Sequence, residues 1–291
     1  MNRSSFILLL VLGALWGASF LFLRIAAPVL GAVWLIEIRV LIAGLVLLPL
    51  VVFNRQWISM LNSYRHLLIV GALNSALPFV LIAHITIELS AGATSILNAI
   101  VPIAGVVFSY LVMKEQLGLA QLCGIALGFV GVLVLMLWQQ QGVSSPPLLV
   151  VVLAIIAAFS YVAGAHYTKQ RLVEMPVMVY VAGTQLAAAI LLLPLLPFFV
   201  PQQFPDVVVI GSVIGLAVLS TSLALVLYFK LIHQIGPTKT LTVTYLIPFF
   251  GLLWGSVFLD EAIAMNQIAG CALILSGVAL SVGSKRFKKL V

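Results

Sequence analysis

Ten stretches, each long enough to cross a bilayer and nearly free of charge, lie end to end along this chain. A spanning helix needs about 20 mainly apolar residues. Runs of that kind fall at approximately 5–27, 33–53, 67–86, 91–112, 119–138, 147–168, 177–199, 207–229, 239–259 and 266–284. The connections between them are too short to hold an extramembrane domain, so whatever the chain does, it does in the bilayer. Composition agrees, because 64% of the residues are hydrophobic and 7% charged. Seven acids and fourteen bases cannot cover the outside of a water-soluble fold of this length. The predicted fold is therefore an all-α integral membrane protein of ten transmembrane helices. The first run follows Met1-Asn2-Arg3-Ser4-Ser5 in the manner of a signal peptide. It is as long as the other spans and has a counterpart later in the chain, so it is read as a helix.

Charge sets the expected orientation. Laying the spans out with a cytoplasmic N-terminus puts Arg3, Arg55, Arg65, Lys114, Lys169, Arg171, Lys230, Lys239, Lys285, Arg286, Lys288 and Lys289 on the inner side, twelve of the fourteen bases. Only Arg24 lies at the outer face, and Arg39 sits within the second span. This asymmetry predicts an even span count with both termini cytoplasmic. The net charge of +7 comes from those loop clusters and does not point to nucleic acid. Cys123 and Cys271 both fall inside apolar runs, where cysteine packs as a small residue and not as half of a disulfide or metal pair.

Sliding the chain along itself gives a coherent match at one offset. Pro102 and Pro248, and Glu115 and Glu261, each stand 146 residues apart. The same offset pairs Thr94 with Thr240, Gly105 with Gly251, Gln121 with Gln267, Gly124 with Gly270 and Gly131 with Gly277. Upstream it places Asn74-Ser75 on Ser220-Thr221. Matched Leu or Val is cheap in such a composition, whereas matched Pro, Glu and Gln is not. The expected division is a first five-helix repeat over 1–142 and a second over 143–291. An odd number of spans per repeat makes the second copy enter from the opposite side, which gives inverted topology. That architecture is typical of secondary transporters, with the substrate site near the midplane between the repeats.

The stretch Leu15-Trp16-Gly17-Ala18-Ser19-Phe20, Arg39 in the second span and Ser90-Ala91-Gly92-Ala93 opening the fourth begin a recognisable pattern. It continues with Pro102, Glu115, Gln121, Gly124 and Gly131, and returns as Pro248, Glu261, Gln267, Gly270 and Gly277. Over essentially its whole length the chain resembles the EamA family of the drug/metabolite transporter superfamily. The resemblance implies a ten-helix carrier in the bacterial inner membrane that exports small metabolites such as amino acids or drug-like compounds. Members differ widely in cargo, so the family does not choose one.

Position by position, the residues suggest a pore. Pro102 and Pro248 lie at the centres of the fourth and ninth spans, where each removes a backbone donor and crowds the carbonyl four residues earlier, those of Asn98 and Thr244. Broken helices are tolerated in hydrocarbon where they face protein or a wet cavity. The two prolines are thus expected to form a symmetric hinge, the alternative being a pair of static kinks. Asn98, Thr244 and Tyr245 add polar atoms beside them. Asn74, Ser75 and Pro78 in the third span, with Ser220, Thr221 and Ser222 in the eighth, are candidate substrate-lining residues, although a lone Ser or Thr in a span usually bonds its own helix. Trp16 and Ser19 in the first span, facing Tyr161 in the sixth, are candidates for an aromatic wall.

Arg39 is costly within a span and marks a pairing site or a wet cavity. Its repeat partner is Gln185, and Glu37, two positions away, lies on another helix face. Arg39 is expected either to attract a substrate carboxylate or to anchor on backbone carbonyls. Glu115 and Glu261, at the ends of the fourth and ninth spans, read as caps or loop locks. With no carboxylate at mid-span, transport is expected to run downhill or by exchange. Glu37, His84 and His166 remain as ionisable candidates for coupling.

Neither a metal-binding H-E-x-x-H nor a nucleophile motif G-x-S-x-G occurs, and the four histidines are scattered near span ends, so no enzyme, metal or cofactor is expected. A phosphate-ester or nucleotide-sugar exchanger is the closer rival. Dianions want several buried bases, and Arg39 alone is buried, with Lys230 and Lys239 near the inner mouth. The expected partners are a small neutral or zwitterionic solute and the lipid bilayer, and the expected oligomeric state is a monomer.

Overall fold

The computed structural model describes residues 3–114, 116–137, 147–201 and 203–283. Among the described residues every regular element is helical. The longest, Arg3–Phe53, is two helices joined at Gly31, whose φ of 71° and ψ of 157° suit only a residue without a Cβ. We call its parts α1 (3–30) and α2 (32–53). A short exposed helix, Trp57–Asn62, then leads to α3 (Tyr64–Glu88) and α4 (Ala91–Met113). There follow α5 (Leu119–Leu137), α6 (Pro147–Arg171), α7 (Val177–Phe198), α8 (Val207–Ile235), α9 (Leu241–Leu259) and α10 (Met265–Gly283). Among the described residues ten apolar spans result, and nearly all their ends fall within three residues of those predicted. The far end of α8 is the exception, running on to Ile235.

Exposure is inverted relative to a soluble protein. Phe129, Ile190, Phe249 and Phe258 are exposed on the outside, where acyl chains solvate them, while Ser75, Thr94, Gln185 and Thr221 are buried. The central core gathers Phe20, Leu23, Ile36, Val40, Ile82, Ala188 and Leu216 from α1, α2, α3, α7 and α8. A second cluster joins α3, α4, α5, α6 and α10 through Ile85, Ile96, Leu135, Val150 and Ile274.

α5 and α10 pack backbone to backbone through matched glycines. A Cβ at Gly277 would lie 2.5 Å from the Gly124 oxygen and 2.7 Å from the Gly128 nitrogen, and one at Gly270 would lie 3.0 Å from the Gly131 oxygen. Small residues permit this approach, which replaces hydrophobic driving force by close packing inside lipid. The Gly124-x3-Gly128 pair thus works within the chain.

Local irregularities recur at the offset read from the sequence. A wide π-type turn occupies Ala72–Ala76 in α3 and another Val218–Leu223 in α8. α4 breaks after Asn98 and resumes at Val101, while the matching part of α9 is a tight 3-10 turn, Leu241–Tyr245, before a regular helix from Leu246. The helices that follow end on the same left-handed cap, Lys114 at φ 56° and Asp260 at φ 53°. Beyond these caps the Gln121 Oε1 accepts from the Gly118 N–H at 2.9 Å, as the Gln267 Oε1 does from the Ala264 N–H at 3.2 Å.

The prolines differ from the expectation of mid-helix kinks. Pro102 and Pro248 each lie in the first turn of the resumed helix, where no intrahelical donor is needed. The discontinuity stands just before each proline.

Candidate substrate site

The two wide turns put polar groups at mid-depth. In α3 the turn precedes Pro78, whose missing N–H cannot close the usual bond to the Asn74 carbonyl. In α8 no proline is involved. There the Thr221 and Ser222 hydroxyls donate to the carbonyls five residues back, Leu216 at 2.8 Å and Ala217 at 3.0 Å.

Arg39 reaches from α2 to the wide turn of α8, where its Nε donates to Thr221 Oγ1 at 2.9 Å. Its guanidinium carbon sits 3.8 Å from the centre of the Phe79 ring on α3, a cation–π contact. Arg39 is 6% exposed and, among the described residues, has no carboxylate within ion-pair distance. The expected alternative of an anchor on backbone carbonyls gives way to this side-chain contact. Phe79 in turn lies 6.3 Å, ring to ring, from Tyr161 on α6. Glu37 is buried on the same helix, its Oε2 without a hydrogen-bond partner and its carboxylate not paired with Arg39.

The residue equivalent to Arg39 in the second half repeats the gesture. Gln185 on α7 donates through Nε2 to Ser75 Oγ, in the wide turn of α3, at 3.0 Å. Arg39 and Gln185 are 146 residues apart, as are Ser75 and Thr221. The two crossed bonds, α2 to α8 and α7 to α3, interlock the halves. Sequence reasoning noted Gln185 only as the match of Arg39 and missed Phe79; spacing four residues beyond Ser75 on one helix face was the available signal for Phe79.

The other candidates divide. Asn74 Nδ2 donates to the Tyr180 hydroxyl at 3.1 Å, and Ser220 donates to the Leu15 carbonyl at 2.7 Å, so both bind neighbouring helices. Trp16 faces Tyr228 at 5.2 Å and, unlike the expectation, makes no ring contact with Tyr161. Aromatic contacts continue from Tyr228 to Phe229 and Tyr180. Tyr180 and Tyr228 were also missed, since aromatics in apolar spans look like packing. Ser19 donates to the Trp16 carbonyl and Thr244 to that of Leu241, each within its own helix. Tyr245 packs on the second core cluster, so neither it nor Thr244 joins the Arg39 group. Asn98 lines a small cavity with Ile82, Ile85, Thr94, Leu97, Ala154 and Ala157, next along α3 from Phe79.

One face of the bundle is tied by charge. Arg24 Nη1 donates to the carbonyls of Thr86 at 2.8 Å and Ile87 at 2.7 Å, and its Nε stands 3.9 Å from Glu261 Oε1. Glu261 accepts from the Ala91 N–H at 2.9 Å, a carboxylate at a helix N-terminus. Ser90 caps the same helix through the Ala93 N–H and accepts from Gln267 Nε2 at 3.1 Å. The cap expected of Glu261 is thus present; Glu115 lies outside the described residues. Among the described residues no three of His, Cys, Asp and Glu come together to hold a metal ion.

The sequence pattern of the EamA-like transporter family matches this chain twice, over residues 3–137 and 148–283. A probable amino-acid metabolite efflux pump of Escherichia coli (strain K12) is 25% identical, covering 100% of this chain and 99% of its own. An uncharacterized transporter of Archaeoglobus fulgidus is 21% identical over 92% of this chain and 94% of its own. A protein of known crystal structure superposes with a TM-score of 0.66 at 19% identity, covering 97% of each chain, and shares the fold.

Proposed function

The chain belongs to the EamA-like transporter family, and from that premise we propose that it exports small amphipathic solutes, amino acids foremost, by alternating access around the Arg39 group. It is a multi-pass membrane transporter. The observation that carries the reading is the buried guanidinium of Arg39, held by Thr221 and Phe79 and unpaired with any carboxylate among the described residues. A buried cation needs a counter-charge, and a transported carboxylate supplies it transiently. The surrounding aromatic and apolar surface of Phe79, Tyr161 and Ile82 suits the rest of an amphipathic solute.

The two halves, 1–142 and 143–291, act as inverted repeats. The recurring wide turns, helix breaks and left-handed caps support this, as do the crossed Arg39–Thr221 and Gln185–Ser75 bonds. In one access state the Arg24–Glu261 ties close one mouth, and exchanging the conformations of the repeats opens it. Both termini face the cytoplasm of a bacterial inner membrane, the transporter works as a monomer, and transport runs downhill or by exchange. The efflux-pump name of the Escherichia coli relative supports amino acids as the cargo class.

Counterflow into proteoliposomes loaded with neutral, aromatic, acidic and phosphorylated solutes tests the proposal. Saturable entry of amino acids, not displaced by phosphate esters, is the expected result. Entry of phosphate esters alone would put the exchanger reading in its place.

A further inference from the structure

Arg39 and Gln185 occupy equivalent places in the two halves, yet one is a cation and the other a neutral amide. Both are buried and both spend one donor on a hydroxyl of the opposite half. What each leaves over differs in sign. Arg39 keeps its terminal N–H groups, all donors, with no protein acceptor among the described residues. Gln185, 2% exposed, keeps a carbonyl Oε1 with no hydrogen-bond partner. An orphaned buried acceptor is costly and asks for a donor.

Both side chains meet one stretch of α3. Gln185 bonds Ser75, and the guanidinium of Arg39 lies over Phe79, four residues further on. Residues so spaced share a helix face, with Cβ atoms about 5–6 Å apart. An α-amino acid carries the two complementary poles, a carboxylate that accepts hydrogen bonds of about 2.8 Å from a guanidinium and an ammonium that donates to an amide oxygen.

We infer that Gln185 is the specificity-determining residue for the α-ammonium of a zwitterionic substrate, accepting from it through Oε1 while Arg39 holds the carboxylate. The broken symmetry of the pair thereby fixes which way round the solute lies between the repeats. A site made of two such amides would lack charge to hold a carboxylate, and one made of two arginines would repel the ammonium. This inference rests on the amino-acid reading of the same site and names its second pole.

Calorimetric binding to the purified full-length protein in detergent tests it. The probes are leucine and phenylalanine, each against the acid of the same skeleton without the ammonium, 4-methylpentanoate and 3-phenylpropanoate. The wild-type protein should prefer the amino acid in each pair by about 10-fold or more, the value of a hydrogen bond to a charged group. Gln185→Met, which keeps length and removes the acceptor together with the Nε2 donor to Ser75, should bring the preference to near unity while leaving the affinity for the ammonium-free acids within about 2-fold. Gln185→Glu, which restores an acceptor oxygen, should restore the preference and guards against a folding defect in the first variant. A preference that survives Gln185→Met, or an equal loss for both members of each pair, overturns the inference and leaves the export reading standing. A wild-type protein that binds the acids but no amino acid overturns both.

Discussion

Arg39 donates through Nε to Thr221 Oγ1 at 2.9 Å, a bond that joins α2 of the first half to the wide turn of α8 in the second. Thr221 can accept because its own proton is already given to the Leu216 carbonyl. The π-type turn thus presents a lone pair towards the one cation buried in a span among the described residues. A local irregularity of the helix, the burial of a charge and the contact between halves are one arrangement.

Replacing that cation separates function from stability. Arg39→Met should abolish amino-acid counterflow, at least about 10-fold, while thermal stability in detergent stays equal or rises, because an unpaired buried charge is itself costly. Arg39→Lys keeps the charge but loses the guanidinium contact with the Phe79 ring and should fall between the two. A stable Arg39→Met protein with undiminished counterflow would remove Arg39 from the site.

Pro102→Ala and Pro248→Ala should each slow exchange several-fold while the protein stays folded. With each proline in the first turn of a resumed helix, alanine supplies an N–H that lets the helix run through the break. Stopped-flow exchange in proteoliposomes measures the rate. Unchanged rates in both variants would mean that the breaks are static.

Glu261→Ala removes the acceptor of the Ala91 N–H and the counter-charge of Arg24 at once. Loss of a helix N-terminal acceptor costs about 0.5–2 kcal/mol, so the thermal midpoint should fall. Exchange should accelerate if the contact closes one mouth. Glu261→Gln, which keeps an acceptor, should recover most of the stability.

Gly277→Leu should be more damaging than any of these, since a side chain there enters the backbone of Gly124 and Gly128. Overpacking costs typically about 1–3 kcal/mol, and here it would also separate α5 from α10. Thermal unfolding of the purified variant, compared with Leu280→Ala on the exposed side of α10, checks it.

The spans were legible because hydrocarbon imposes one length on every crossing, and the repeat was legible because Pro102 and Pro248, or Gln121 and Gln267, are expensive coincidences in an apolar chain. The site was legible only in part. Arg39, Ser75 and Thr221 stand out by polarity, and the structure brings them into the crossed bonds. Thr244 and Tyr245 have the same polarity but belong to another place, because a tight turn spends the Thr244 hydroxyl on its own helix. Tyr228 carries no signal of its own among seven tyrosines, and among sixteen phenylalanines Phe79 is marked only by its spacing from Ser75. Which aromatic meets a cation depends on helix rotation, which periodicity in a uniformly apolar span does not encode.

The most direct test of the central claim is counterflow of labelled amino acids in proteoliposomes of the wild-type and Arg39→Met proteins side by side, with and without an imposed pH gradient. The account predicts saturable entry that only equilibrates, indifferent to the gradient, in the wild type and none in the variant. Accumulation driven by the gradient, or equal entry in both proteins, would contradict it.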